Sequence, residues 1–102
     1  MLHIASESDW NRAHESGVYA LPAGVIHGCS SSQLRLVVEA RFPSQDGFVL
    51  LSIDESKASG EIRSVTFREG GRSETFPHLH GSFPITAVLS VCPLAEALSD
   101  IG

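Results

Sequence analysis

Phe48-Val49-Leu50-Leu51-Ser52-Ile53 is the stretch on which the fold turns. It is almost wholly apolar and bounded by turn residues, Ser44-Gln45-Asp46-Gly47 before it and Asp54 after it. Such a run reads as a strand from the middle of a sheet, covered on both faces. Upstream, Leu34, Val37, Val38 and Phe42 recur at helical spacing, Ser30, Ser31 and Ser32 offer N-caps, and Pro43 blocks continuation. These signals predict a helix over 32–41. Val25-Ile26-His27 and Val18-Tyr19-Ala20-Leu21 read as short extended stretches, with Gly28 allowing a sharp turn. A first helix over 7–16 follows from Ser6 as N-cap, Asp9 three residues on, Trp10, Ala13 and His14 on one side, and Gly17 as terminator. Leu2-His3-Ile4-Ala5 reads as the first strand, His3 and Ala5 on one face, Leu2 and Ile4 on the other.

Downstream of the central strand the pattern changes. Asp54 to Gly60 is a polar connection with room for one helical turn, and Glu61 to Phe67 alternates in part, as a half-exposed strand does. Gly70-Gly71 is a turn, Ala87-Val88-Leu89-Ser90-Val91 reads as a last core strand ended by Pro93, and 94–101 as a frayed terminal helix. Strands and helices interleave early and strands dominate late, which predicts an α+β fold. The expected architecture is a split, twisted β-sheet with two main helices packed against it. The 102 residues form one domain, 1–102, without repeat or linker.

Composition narrows the function. Hydrophobic residues make up 42% and charged residues 19%, a balance that excludes disorder. No apolar run approaches the ~20 residues of a membrane-spanning helix, and no export signal is visible, so the expectation is a cytoplasmic protein with reduced Cys29 and Cys92. The net charge of −5 opposes nucleic-acid binding, which rests on Lys and Arg contacts to phosphate. Arg63, Arg68 and Arg72 fall close together and suggest a local anion patch.

The chemistry rests on histidine, the versatile side chain near neutral pH. His14 near a helix C-terminus has a structural reading. His3, His27 and His78 each stand at a strand end beside apolar residues, and remote strand ends can converge on one cleft. In Phe76-Pro77-His78-Leu79-His80-Gly81, Pro77 and Gly81 argue against helix, and extended backbone sends His78 and His80 to one side. Histidines in this number raise the question of zinc, yet neither H-E-x-x-H nor C-x-x-C is present. Cys29, just before a helix start, is a candidate nucleophile or a small buried residue. No G-x-G-x-x-G or P-loop motif occurs.

Three pieces stand in order: Leu2-His3-Ile4-Ala5, Val25-Ile26-His27-Gly28-Cys29-Ser30, and Phe76-Pro77-His78-Leu79-His80-Gly81. With Val49-Leu50-Leu51-Ser52-Ile53-Asp54 between them, the chain resembles the bacterial domain-of-unknown-function 952 family over about residues 1–94. That family reads Y-H-I, then G-F-I-H-C-S, then L-L-x-I-D, then F-P-H-I-Y-G. The chain departs from it at Leu2, at Gly28 inserted between His27 and Cys29, at His80, and at Phe67-Arg68-Glu69, where Trp-Glu is common. The family's fold is similar to the ADP-ribosyltransferase superfamily, a split sheet clasping NAD. The resemblance implies a nucleotide-like small molecule, NAD as cofactor or substrate, and an activity of transferase or NAD glycohydrolase type. It implies His3 as ribose anchor, His27 against the nicotinamide and His78 as third member. His80 assists, and Ser30 joins the cofactor-binding set. Breaking the nicotinamide–ribose bond creates a cation-like sugar, which a carboxylate stabilises. Glu69 is the candidate for that role; its other reading is an exposed residue at the Gly70-Gly71 turn. Two further readings stay open: a binding module without catalysis, and a histidine metal site.

Overall fold

The computed structural model describes residues 1–69 and 71–100, the side chains of Glu69 and Asp100 excepted. The elements run β1 (Leu2–Ser6), α1 (Glu7–Ser16), β2 (Val18–Tyr19), β3 (Val25–His27), α2 (Leu34–Arg41), β4 (Phe48–Ile53), β5 (Ser59–Glu69), β6 (Arg72–Pro84), β7 (Val88–Pro93) and α3 (Leu94–Asp100). Single 3-10 turns sit at Ser31–Gln33, Glu55–Lys57 and Ile85–Ala87. Local signals set α1 to the residue: Ser6 Oγ accepts the Asp9 N–H at 3.1 Å, and Gly17 closes the helix with φ 83°.

The architecture is α+β with antiparallel strands in two sheets. One is three-stranded, in the order β1-β4-β7. The other is built on β6, which pairs with β5 along one edge and with β3 and then β2 along the other. The expected central strand is β4, and both its faces are covered. Val49, Leu51 and Ile53 enter a core with Ala5, Tyr19, Ile26, Leu79 and Phe83. Phe48 and Leu50 pack on a second cluster around Cys29, Leu34, Val38 and Leu94. Leu79 and Phe83 have no exposed surface, and full burial of each such side chain contributes about 1.5–3 kcal/mol.

Four expectations change. β7 is an edge strand with Leu89 67% and Val91 44% exposed, because among the described residues it pairs only with β4. The terminal helix expected as a frayed one over 94–101 is α3, Leu94–Asp100, docked through a completely buried Leu94, and residue 101 lies outside the described residues. The strand expected over 61–67 extends to Ser59–Glu69, and its partner β6 is thirteen residues long and runs through Pro77. The Pro77 carbonyl accepts the Gly28 N–H at 2.8 Å, on the β3 side of β6. In an antiparallel strand a residue's N–H and C=O share a side, so the missing proline N–H faces the end of β3 and the ladder to β5 loses nothing. Finally, Arg68 pairs with Ser73 while Arg63 pairs with His78, which alternation places on opposite faces, so the arginines form no single patch.

Candidate functional site

The two sheets meet where β1 passes the end of β3. Leu2 and Cys29 exchange two backbone hydrogen bonds at 2.9 Å, and the pairing then lapses. The His3 side chain fills the lapse. Its Nδ1 lies 2.7 Å from the His27 carbonyl oxygen and its Nε2 lies 2.8 Å from the Tyr19 hydroxyl. A carbonyl only accepts, so Nδ1 carries the proton, and neutral Nε2 accepts from Tyr19. Burial lowers the pKa of His3; the bond to His27 opposes that shift, the nearby His27 ring adds to it, and Asp9 opposes it. Burial also raises the Tyr19 pKa, with Asp9 adding to it, so the hydroxyl stays protonated and available as donor. Tyr19 is 2% exposed, meets His3 edge-on at 5.3 Å and stacks on Phe83 at 4.9 Å.

His27 and His78 face each other across the β3–β6 ladder, with ring centroids 4.5 Å apart. Pairing and alternation put them on the face away from Ile26 and Leu79, together with His80 opposite Val25. His27 is exposed, His80 half-buried, and His78 9% exposed. The pKa of His78 is lowered by burial first, then by His27 and His80. No hydrogen bond among the described residues holds its ring, and its nitrogens reach solvent. Phe67 of β5 lies 5.9 Å from His78 and 5.9 Å from Phe76, although the ladder sets it opposite Glu74. Arg63 stands opposite His78, and its guanidinium is tied to Glu61 at 3.1 Å.

The expected site residues therefore separate. His27, His78 and His80 share an outward face. His3 supports that face through the His27 main chain while its ring turns to Tyr19. Ser30 is exposed at the rim of an open depression of about 420 Å³, lined also by Leu2, Cys29, Gln33, Glu55 and Pro77 but by no histidine. Glu69 ends β5 opposite Arg72, and its side chain lies outside the described residues. The other carboxylates near the histidines in register are engaged, Glu61 by Arg63 and Glu74 by the Gln33 amide at 3.4 Å. Gly28 sits in a close approach: a Cβ there would displace the flexible Met1 side chain and press the Pro77 carbonyl at 3.0 Å.

One chemical reading loses its footing. Cys29 is a buried thiol whose pKa burial pushes up to about 11, the reverse of an activated nucleophile. Among the described residues no three His, Cys, Asp or Glu side chains converge as metal ligands. Tyr19 and Phe67 went unassigned in the sequence. A signal existed for Tyr19: it is the only tyrosine, it sits in an apolar stretch, and a buried tyrosine hydroxyl requires a partner.

No helix of the described residues is long and apolar enough to cross a membrane. No curated protein matches the chain. The crystal structure of protein CC0527 from Caulobacter crescentus superposes with a TM-score of 0.73 at 24% identity, covering 89% of this chain and 82% of that one. A double mutant of the same protein gives the same values. At that identity the likeness is one of fold. The family model described as a protein of unknown function (DUF952) matches residues 4–91, and the chain belongs to that family.

Proposed function

We propose that the outward histidine face binds a nucleotide-like ligand of the NAD or ADP-ribose class, in a fold related to the ADP-ribosyltransferases. The observation that carries this reading is the His27–His78 pair, 4.5 Å apart on an accessible sheet face with His80 beside it. A His78 with a lowered pKa is neutral at pH 7 and offers one donor and one acceptor to a ribose diol. Arg63 supplies the positive charge that a phosphate requires, and the imidazole rings supply planar surface. Those groups suit NAD as a bound molecule. Of the carboxylates that glycosidic cleavage could call on, Glu74 is held by Gln33, Glu61 is the partner a phosphate would displace from Arg63, and Glu69 ends β5 six residues beyond Arg63. Binding is therefore the primary reading, and transferase or glycohydrolase activity is its extension through Glu69.

Calorimetric titration of NAD and ADP-ribose into the protein and into His78→Ala tests it. Saturable binding to the wild type, lost in the variant, is expected. Absence of heat for both ligands with a folded protein sinks it. Nicotinamide release from NAD, abolished in Glu69→Gln, is the result that would make the protein an enzyme.

A further inference from the structure

The histidine pair is one end of a longer strip. Ring contacts run from His27 to His78 at 4.5 Å, from His78 to Phe67 at 5.9 Å and from Phe67 to Phe76 at 5.9 Å. Phe76 is part of the second core cluster, which fixes that end of the strip. Phe67 is different: it is 46% exposed on a strand face and sits outside both buried clusters. Its contacts lie diagonally along β6 toward His78 rather than directly across at Glu74. A phenyl ring flanked by two tilted rings, with nearly half of its residue surface open, is a platform for another flat ring.

Charge on the same face narrows what that ring belongs to. Pairing places Arg63 on the side of His78 and Phe67. Among the described residues its guanidinium is held only by the exposed Glu61 carboxylate, through Nε at 3.2 Å and Nη2 at 3.1 Å on a single oxygen. An incoming phosphate, with more charge and more acceptor oxygens, displaces such a partner readily. A polyanion would meet a protein of net charge −5, whereas a single nucleotide needs one cation. We infer that Phe67 stacks the planar heteroaromatic base of the ligand and Arg63 takes its phosphate, so that Phe67 selects base-bearing nucleotides over bare sugar phosphates. The inference rests on the histidine-face reading above and adds to it the part of the ligand that no histidine distinguishes.

The test compares AMP, ADP-ribose and ribose 5-phosphate on the wild type, Phe67→Ala and Phe67→Trp by calorimetry. Phe67→Ala should weaken AMP and ADP-ribose by roughly tenfold to a hundredfold, the usual loss of one base–aromatic stack, and leave ribose 5-phosphate unchanged. Phe67→Trp should retain AMP binding, with its new indole emission quenched on titration; the wild type, which has Trp10 alone, should show no such change. The tryptophan variant also stands in if the alanine variant fails to fold. A Phe67→Ala protein that binds both base-bearing ligands like the wild type overturns the inference and leaves the histidine reading intact. Equal wild-type affinity for AMP and ribose 5-phosphate overturns it too. Wild-type protein that binds none of the three overturns both readings. A single-stranded oligonucleotide that binds far more tightly than AMP would move the face to nucleic acid and overturn the assignment to a mononucleotide.

Discussion

His3 and His78 are the two buried polar residues of the described chain, 6% and 9% exposed, and burial lowers the pKa of both. They differ in what their nitrogens do. Both nitrogens of His3 are committed, one to the His27 carbonyl and one to Tyr19, and the ring closes the seam between two sheets. The nitrogens of His78 are committed to nothing in the described protein and open onto a face with the rings of His27 and Phe67. Similarly low exposure thus goes with opposite roles. A buried histidine whose nitrogens are both bonded within the protein holds the fold, and one whose nitrogens reach solvent can take a partner from outside.

Substitutions can break this contrast or sharpen it. The largest effect is expected behind the histidine face, where Phe83→Ala empties a fully buried site under Tyr19 and should lose about 3–5 kcal/mol in urea unfolding. Next is His3→Ala, which strips partners from the His27 carbonyl and the Tyr19 hydroxyl and should lose about 1–3 kcal/mol. His78→Ala should cost clearly less stability while removing ligand binding. If the two alanine variants lose the same stability, the contrast fails.

Acid should act mainly through His3. Its folded pKa lies below the unfolded value, so the unfolded chain takes the proton first. The neutral ring's contribution is complete above about pH 6.5 and falls away as pH drops below it, at no more than about 1.4 kcal/mol per pH unit for one proton. His78, shifted the same way, adds to the slope. Urea unfolding between pH 7.5 and pH 5 should show this loss, and a His3→Gln variant should show a shallower one. An unchanged slope would mean that His3 is already solvated. The smallest effect is expected far from both histidines: Leu89→Lys on the exposed edge strand should move stability by no more than about 0.5 kcal/mol, where a core position would lose several times that.

Elements set by neighbours in sequence were legible. The Ser6 cap, the Gly17 terminator and the stripe Leu34, Val37, Val38, Phe42 all act within a few residues, so α1 and α2 stood in the sequence almost to the residue. Elements set by distant pairing were not. Val88 to Val91 is as apolar as a core strand, and only its position at the end of the order β1-β4-β7 leaves it exposed. Pro77 hid the length of β6, since its tolerance depends on β3 ending at that level. The histidines could be singled out by type and by motif. The division of labour between His3 and His78 could not, because it depends on where Tyr19 sits.

The shared strand β6 also governs when the molecule can assemble. Among the described residues Val18-Tyr19 and Val25-Ile26-His27 have their only ladder partners in Phe83-Pro84 and His78-Leu79-His80, far along the sequence. During synthesis the first third of the protein therefore leaves the ribosome with strand edges and a tyrosine–histidine pair that have nothing to rest on. Strands β5 and β6, neighbours in sequence and paired from Glu69–Arg72 to Ser59–Ser82, can zip up locally. Folding then waits on long loop closure onto that pair, which places the protein among slow, high-contact-order folders and makes the nascent amino-terminal segment the stage most exposed to misassociation.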